Sequence, residues 1–396
     1  MKKGLTVAAA VLLMCCLCGC NGGNKQNQQL YFQDFPKYSD YESSKSTALS
    51  LYGYAMCADI NFVTADNSNF KTGEGFSKAK SVWTGIKDTI TAADASLSVS
   101  VESSPISAFN RAAAGAEVKL DKTSYEVLSL AKSVYELTNG YYNPAVYYCA
   151  DLYGFTPNSK HNPKKEGLPA AESVSAFKGL ADNFGKLELY EKDGVYYAKK
   201  PTETVTVGGV EYSMSIDLGG IGKGWCADKI SELMTANGVE YGYFSFGSSS
   251  MAIAKYLSKD GVSGDYTVGA KDPRASGSFF AVKLSDMRLS TSADNEQYFM
   301  LDGVRYCHII DPTTGSPVQT GVASATVIGG SAAEDDALTT ALIAMGKGKA
   351  VEFISQHLMD RKVFMLVNEE GEWKIVTNSA QDIVEYNQNY DIESIQ

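Results

Sequence analysis

The chain has 396 residues, enough for one large domain or two packed ones. Hydrophobic residues make up 44% and charged residues 20%, as in an ordinary globular protein with a substantial core. The net charge of −11 argues against a general nucleic-acid binder, which needs basic patches, and against electrostatic attachment to anionic lipid.

The first twenty residues, MKKGLTVAAAVLLMCCLCGC, differ in character from the rest of the chain. Two lysines precede an apolar run that is too short to span a bilayer, which is typical of a secretory signal peptide over residues 1–19. Leu17, Cys18 and Gly19 resemble a bacterial lipobox, although Cys18 stands where Ala or Ser is usual. We therefore predict export and lipidation at Cys20; the alternative is an ordinary cleaved signal peptide.

Residues 20–45 are rich in Asn, Gln, Lys, Ser and Tyr, a composition that predicts a tether. The folded domain is predicted to cover residues 46–390. No repeat is visible, and no stretch after residue 20 is apolar enough to cross a membrane. We therefore expect an exported protein that a lipid anchors to a bacterial membrane, on the outer face of the cell membrane or on the periplasmic side.

Apolar residues at helical spacing predict two helices in the first half of the chain, over about 76–95 and 122–138. The dipeptide Asn139-Gly140 ends the second helix, because it suits a C-cap or turn. Further on, KLELYEKDGVYYAKK predicts a hairpin with Asp193-Gly194 at its tip.

The second half of the chain mixes strands and helices. SMSIDLGG is predicted as a strand, and GWCADKISELMTANG as a helix that ends at Gly238. Four more strands are predicted in YGYFSFG, DYTVGAKD, FFAVKLSDM and VRYCHIIDP. Helices are predicted from Ser331 and near 347–358, followed by the hairpin KVFMLVNEEGEWKIV. Without a regular βαβ alternation, the predicted class is α+β.

The stretch IDLGGIGKG, residues 216–224, combines four glycines with one lysine. It is not a Walker loop, because Gly222-Lys223 is followed by glycine rather than Ser or Thr, and not a dinucleotide fingerprint, because Trp225 takes the third glycine position. Glycines before a helix N-terminus still favour an anion, and Lys223 adds positive charge. Asp217 opposes a bare phosphate and fits better as an acceptor for a base or ribose group, or beside a cation. The alternative is a tight turn that needs glycine for packing.

Asp336 and Thr340 in EDDALTTAL lie four residues apart, and therefore on one helix face. A carboxylate and a hydroxyl so placed can share a hard cation such as Mg²⁺. The alternative is that the acidic residues complement the helix dipole while Thr340 is packed. Asp335 and Glu334 are expected to be solvated partners of the dipole.

Two further segments are candidates for ligand contact. His308, one of three histidines, is predicted in a strand and can bond a ligand or move a proton, unless it is structural. The tyrosine-rich residues 138–155 suit a planar ring ligand by stacking, or else ordinary packing.

Six segments in chain order together resemble one known family, the bacterial FAD:protein FMN transferases of the ApbE type, once called thiamine-biosynthesis lipoproteins. They are LSVSVESSPISAFN, TNGYYNPAVYYCADLYGF, IDLGGIGKGWCAD, STSADNEQYF, HIIDPTTGSPV and DDALTTALIAMG. The similarity covers about residues 75–376. It implies an α+β fold with mixed or antiparallel sheets, flanking helices and two closely associated, T-fold-like subdomains.

The resemblance also implies roles for individual residues. It assigns a Mg²⁺ site to the side chains of Asp336 and Thr340 and the backbone carbonyl of Gly220. The positions that it places at FAD are Tyr141, Tyr142, Asn143, Asp217, Lys223 and His308.

Departures from the family pattern affect three places. Asn143 stands where the family has Asp, and Ala293 replaces a glycine. An N-terminal flavin-contacting element is matched poorly, either by residues 45–47 or by residues 56–58, and the sequence does not choose between them.

The implied reaction is Mg²⁺-dependent transfer of FMN from FAD to a Ser or Thr hydroxyl, with release of AMP. The implied acceptors are exported-side subunits of membrane redox complexes, and the implied catalytic residues are Asp336 and His308, with His308 or a nearby Asp taking the hydroxyl proton. A metal-dependent FAD pyrophosphatase, in which water attacks, is an alternative that uses the same residues. A non-catalytic FAD-binding lipoprotein is a second alternative, against which the pair Asp336 and Thr340 argues, since storage needs no metal.

Overall fold

The computed structural model describes residues 11–12, 30–40, 48–65, 73–157, 159–258 and 260–396. Cys20 and, apart from residues 11–12, the predicted signal peptide lie outside the described residues, as does the 45–47 candidate for the flavin-contacting element. Among the helices in the described ranges, none has the length and apolar character that a membrane crossing requires.

The helices are numbered in chain order. They are α1 (Gly73–Leu97), α2 (Pro105–Arg111), α3 (Lys122–Leu137), α4 (Tyr147–Leu152), α5 (Pro163–Glu166), α6 (Ala171–Ala181), α7 (Gly219–Ala236) and α8 (Ala332–His357). Short 3₁₀ turns cover Pro144–Val146, Asp182–Lys186 and Ala380–Asp382.

The strands of the first half are β1 (Val11–Leu12), β2 (Tyr31–Phe32), β3 (Ala48–Ala55), β4 (Ala58–Ala65), β5 (Glu117–Leu120), β6 (Glu188–Lys192), β7 (Val195–Lys199), β8 (Thr204–Val207) and β9 (Val210–Ser213). Those of the second half are β10 (Gly242–Phe246), β11 (Ser250–Ile253), β12 (Tyr256–Leu257), β13 (Ser263–Gly264), β14 (Tyr266–Lys271), β15 (Ser278–Leu284), β16 (Met287–Ala293), β17 (Tyr298–Leu301), β18 (Val304–Cys307), β19 (Ile310–Asp311), β20 (Ser316–Pro317), β21 (Val322–Ile328), β22 (Lys362–Glu369), β23 (Glu372–Thr377), β24 (Ile383–Tyr386) and β25 (Asp391–Ser394).

A ten-stranded sheet organises the fold, in the order β2-β3-β4-β10-β11-β16-β21-β22-β23-β25. Its neighbours pair antiparallel except for β23 and β25, which pair parallel. On one face, α7 packs against α1 and α8, and α8 packs on β16 and β21. The predicted α+β class with mixed sheets and flanking helices is confirmed.

The other face of this sheet carries a second sheet, ordered β1-β14-β15-β24. Alternation along β22 shows why the central strands are apolar throughout. Val363 and Met365 belong to the core under the helices, whereas Phe364 and Leu366 belong to the core between the sheets. A strand buried on both faces needs apolar residues at every position. Phe364 stacks on Phe280 of β15 with ring centroids 4.0 Å apart.

Most of the predicted elements are confirmed. They include α1, α3, the two hairpins and the helix that begins after Ser331. Asp193 and Gly194 have φ values of 54° and 76°, as a two-residue hairpin turn requires. Gly346, with φ 72°, interrupts α8 where the sequence predicts two successive helices.

The predicted tether differs from the structure in its second half. β2 pairs with β3, and the indole Nε1–H of Trp83 donates a hydrogen bond of 2.9 Å to the carbonyl oxygen of Gln33. The rings of Phe35 and Tyr38 pack edge-on against Phe76 of α1. Residues 30–40 therefore belong to the folded domain, because their apolar side chains cover α1.

Candidate active site at the junction of two helices

The segment that leads into the glycines is not the strand that its alternating apolar residues predict. After β9 the backbone of residues 214–218 pairs with no strand. The side-chain amide of Asn110 takes the place of a neighbouring strand: its Oδ1 accepts from Ile216 N–H at 2.8 Å, and its Nδ2 donates to Ile216 O at 2.9 Å. Asp217 N–H donates to Pro144 O at 2.9 Å. Two distant parts of the chain thus fix the approach to the glycine motif.

The helix begins inside the glycine motif rather than after it. Asp217 Oδ1 accepts a hydrogen bond of 2.7 Å from Gly219 N–H at the start of α7. Gly220 departs from helical geometry, with φ −86° and ψ 15°. The ammonium of Lys223, one turn later, donates to Gly219 O at 3.1 Å. Asp217 and Lys223 therefore both bond the backbone of Gly219, directly before the non-helical Gly220.

Gly224 marks where α7 meets α8. A Cβ at this position would lie 2.1 Å from the carbonyl oxygen of Ala332, so only glycine permits this approach. Its N–H donates a hydrogen bond of 3.1 Å to Oδ2 of Asp336. Asp336 is buried, and burial raises the pKa of its carboxyl, whereas Lys223 and the Gly224 N–H oppose that rise.

Thr340 lies one turn beyond Asp336 and is half-buried. Its hydroxyl lies 3.3 Å from Ser292 Oγ on β16 and 3.4 Å from the carbonyl oxygen of Asp336, both long contacts. Thr339 has shorter hydrogen bonds to the same two partners, at 2.8 Å each. The Thr340 hydroxyl is therefore weakly held and available to a ligand.

The position of α8 is fixed at its N-terminus by α7. Asp228 on α7 accepts hydrogen bonds from the Ser331 hydroxyl and from the N–H groups of Ala332 and Ala333, at 2.6, 2.8 and 3.0 Å. A carboxylate that bonds free N–H groups at a helix N-terminus is stabilising. Arg288 of β16 forms an ion pair with the same carboxylate at 3.2 Å.

The expectation that Asp335 is a solvated dipole partner is wrong. Its side chain is fully buried, and Oδ1 accepts a hydrogen bond of 2.8 Å from Arg361 Nη1. Arg361 also bonds Glu334 through Nη2, at 2.9 Å. Burial raises the pKa of Asp335 to about 7, and Arg361 opposes that rise. Asp335 and Glu334 therefore attach α8 to the start of β22 and do not face the glycine motif.

Tyr142 forms a wall beside Gly220. A Cβ at Gly220 would lie 3.5 Å from Tyr142 Cε2 and 3.6 Å from Thr340 Oγ1, so the three residues are close neighbours. The ring is 3% exposed. Burial raises the pKa of its phenol well above the usual value, and the charges of Asp336 and Asp217 raise it further.

His308 belongs to another element and lies close enough to Lys223 to feel its charge. It lies in a bend between β18 and β19 rather than in the predicted strand, because both its N–H and its ring turn toward Gln297 O, at 2.9 and 3.3 Å. Since a carbonyl can only accept, this contact favours the tautomer that carries the proton on Nδ1 and offers Nε2 as the acceptor. Burial lowers the pKa of the imidazole, and Lys223 lowers it further, whereas Glu296 raises it.

The remaining residues predicted at FAD are committed to contacts within the protein. Asn143 Oδ1 accepts from Ala145 N–H at 2.9 Å, and its Nδ2 donates to Ala181 O at 3.1 Å. The hydroxyl of Tyr141 bonds the Lys349 ammonium, which also lies 4.9 Å from the ring centroid. Tyr141 remains half-buried, so its ring face is the part that can meet a ligand.

Comparison with known proteins identifies the family. The model of the ApbE family matches residues 61–365, which is more than half of the chain. The chain belongs to the ApbE family. It is 29% identical to an FAD:protein FMN transferase of Treponema pallidum over 266 residues, which cover 66% of this chain and 70% of that protein.

A second curated relative matches a longer part of the chain. The FAD:protein FMN transferase of Vibrio cholerae is 25% identical over 317 residues, covering 80% of this chain and 88% of that protein. The solved structure of the flavin transferase ApbE from Vibrio cholerae matches the fold with a TM-score of 0.67 at 23% identity, over 84% of this chain and 97% of that one.

Two departures from the ApbE family motifs have a local structural account. Ala293 lies at the end of β16 in regular pairing with Ser324, and its φ is not positive, so alanine fits there. The turn at Met56 and Cys57 lies beside the glycine motif, because Met56 Cε would be 3.1 Å from a Cβ at Gly222. Of the two candidates for the N-terminal element, residues 56–58 are thus placed at the site.

The residues at the junction fit a small oxygen-preferring cation. Oδ1 of Asp336 has no hydrogen bond to any described residue, and the Thr340 hydroxyl is weakly bonded. Carboxylate, hydroxyl and carbonyl oxygens are the ligands that Mg²⁺ prefers. Across the described ranges, no group of three or more His, Cys, Asp or Glu side chains is placed to hold a metal. The donor set is therefore one carboxylate supplemented by weaker oxygens, which leaves positions for water or phosphate.

A separate cavity of about 260 Å³ does not contain these residues. Arg274 and Arg305 line it, and both pair with Asp294. Its charges are therefore largely satisfied within the protein.

The sequence motifs contain two positioning residues whose roles are visible only in the structure. Asn110 ends the first motif and holds Ile216, and Asp228 ends the glycine motif and caps α8. Both are polar residues at the ends of otherwise apolar stretches, but their partners lie about a hundred residues away. No local pattern in the sequence shows which distant residue each of them bonds.

Proposed function

We propose that this protein is an FAD:protein FMN transferase that requires Mg²⁺ and releases AMP. The observation that supports it best is the position of Thr340 at the junction of α7 and α8, in a chain of the ApbE family. Its hydroxyl lies 3.4 Å from the backbone carbonyl oxygen of Asp336 and 3.6 Å from the place of a Cβ at Gly220. The curated relatives named above are enzymes of this type by name.

The electrostatics of the junction suit a diphosphate that binds together with a cation. Asp217 and Asp336 supply two carboxylates, while Lys223 supplies one ammonium that acts on both. A bare diphosphate would meet net repulsion there. Bound at this place, Mg²⁺ would offset the phosphate charge and favour in-line attack on phosphorus.

Groups of the protein then bind the substrate and accept the proton. The N-terminus of α7 and Lys223 bind phosphate oxygens, and the half-buried ring of Tyr141 offers a face to the flavin. The acceptor hydroxyl forms a new oxygen–phosphorus bond to the FMN phosphate, while the bond to AMP breaks. Nε2 of His308 takes the proton of that hydroxyl, since its neutral form is favoured and Nδ1 is held by Gln297.

The N-terminal sequence supports the proposed location, and the family resemblance supports the proposed acceptor. We propose lipidation at Cys20 and a position at the outer face of the cell membrane or on its periplasmic side. Acceptor subunits of membrane redox complexes with Ser or Thr at the modified position would then share one surface with the enzyme. A shared surface raises the effective concentration of the two proteins without any new contact.

The deciding experiment uses purified protein, FAD, MgCl₂ and a panel of threonine peptides, each matched by the same peptide with valine. Mass spectrometry measures the FMN adduct, and chromatography measures AMP. The proposal predicts an adduct on the threonine peptides alone and AMP in equal amount. AMP without adduct on any peptide would identify an FAD pyrophosphatase. Bound FAD that stays intact would identify a non-catalytic FAD-binding protein.

A further inference from the structure

The hydroxyl of Tyr142 is buried without a partner. Across the described residues, Tyr142 Oη is one of two buried side-chain oxygen or nitrogen atoms that form no hydrogen bond. Nearly all buried polar atoms in proteins form hydrogen bonds, because burial removes their bonds to water and costs free energy that only a new bond offsets. The other atom is a carboxylate oxygen of Glu203, whose second oxygen already pairs with Lys186. Tyr142 therefore needs a different explanation.

The surroundings of the hydroxyl are those of the proposed catalytic junction. The ring edge faces Gly220 at the position where a side chain would begin, and the Thr340 hydroxyl borders the same point. The carboxylates of Asp336 and Asp217 lie close enough to act on the phenol electrostatically, yet neither bonds it. The amide N–H of Tyr142 is fixed by Thr138 Oγ1 at 3.1 Å, so the ring is anchored from its backbone.

The hydroxyl has no bonding role among the described residues. Packing of the ring needs no oxygen at this position. A buried hydroxyl with no bond to the described residues is explained by a ligand that supplies the acceptor.

We propose that Tyr142 binds the substrate through this hydroxyl, which donates a hydrogen bond to an anionic oxygen of the FAD diphosphate. The inference rests on the proposed function, because the diphosphate is that of FAD at the Asp336 junction. The hydroxyl is already removed from water before the ligand arrives. Forming the bond therefore adds no further desolvation cost for the hydroxyl. Bonds from such donors to charged acceptors are stronger than bonds between neutral groups.

The test is Tyr142→Phe, which keeps the ring and removes only the oxygen. Isothermal titration with FAD in MgCl₂ should show about tenfold weaker binding, since a bond to a charged group is lost. Riboflavin, which has no phosphate, should bind both proteins equally. The melting temperature of the ligand-free variant should rise by roughly 2 °C, because an unbonded buried hydroxyl is gone.

Tyr390→Phe is the matched control. Its ring is also buried, but its hydroxyl donates a hydrogen bond of 3.1 Å to Asp272 Oδ1. That variant should melt lower than the wild type and bind FAD unchanged. Unchanged FAD affinity in Tyr142→Phe would overturn the inference, and so would an equal loss for FAD and riboflavin, which would indicate a displaced ring. A wild-type protein that binds no FAD would overturn the proposed function itself, and this inference with it.

Discussion

The backbone N–H of Gly224 on α7 donates a hydrogen bond of 3.1 Å to the carboxylate of Asp336 on α8. This bond exists because the two helices approach so closely that Gly224 has no room for a Cβ. It holds Oδ2 of that carboxylate, whereas Oδ1 bonds no described residue. The glycines of IDLGGIGKG thus serve helix packing first, and the packing in turn orients the proposed metal ligand.

Gly224→Ala should destabilise the protein by about 3 kcal/mol, because the new methyl group collides with backbone atoms of Ala332 and Ala333 that cannot move away cheaply. Denaturant unfolding measures the loss. The matched control is Gly348→Ala, on the exposed side of α8, where nothing lies within 4 Å of the new carbon. It should stabilise by about 0.5–1 kcal/mol, as alanine does in an open helix. Equal effects of the two variants would contradict the packing account.

Asp336→Asn should lower transferase turnover on the order of 10²–10³-fold, because an amide cannot supply the negative charge that the metal needs. The variant should also need more MgCl₂ for half-maximal rate. Titration of the rate with MgCl₂ measures both. Folding should be retained, since the amide oxygen can still accept from Gly224 N–H. An unchanged MgCl₂ requirement would remove Asp336 from the proposed site.

The sequence predicts the helical elements well where periodicity is strong. The apolar spacing of α1 and α3 is fixed by one buried face each, which is a local property of the chain. Asp336 and Thr340 are likewise four residues apart on one helix, so their common face follows from helix geometry alone. These parts of the fold and site depend on spacing, and spacing is visible in the sequence.

Contacts between distant segments are not visible in the same way. Met214, Ile216 and Leu218 alternate as in a strand and are buried, but the backbone of Ile216 bonds the Asn110 side chain instead of a strand. The burial of Asp335 depends on Arg361, which lies 26 residues further along the chain. An acidic residue in a first helical turn looks the same in the sequence, whether it is solvated or paired.

The rate of FMN transfer should fall as the pH is lowered through the pKa of His308, which burial holds below its usual value of 6.5. The sign follows from the role: only the neutral ring accepts the proton, and the neutral ring is the form present above that pKa. The profile of kcat/KM against pH measures the acid limb. His308→Gln should lower the rate by about 10²–10⁴-fold and remove this limb from the residual activity. An acid limb that persists unchanged in the variant would assign it to another group.

Asn110→Ala should destabilise residues 214–218, which lead into the glycine motif. Two hydrogen bonds to Ile216 are lost together, and the N–H and carbonyl of Ile216 are left without their partner. We expect a loss of about 2 kcal/mol in the free energy of unfolding and a KM for FAD that rises more than kcat falls, because Asp217 and Lys223 follow directly. Asn183→Ala is the control: its amide donates to the carbonyl oxygens of Gly179 and Leu180, in the helix directly before it. If both variants bound FAD equally well, Asn110 would have a role in stability alone.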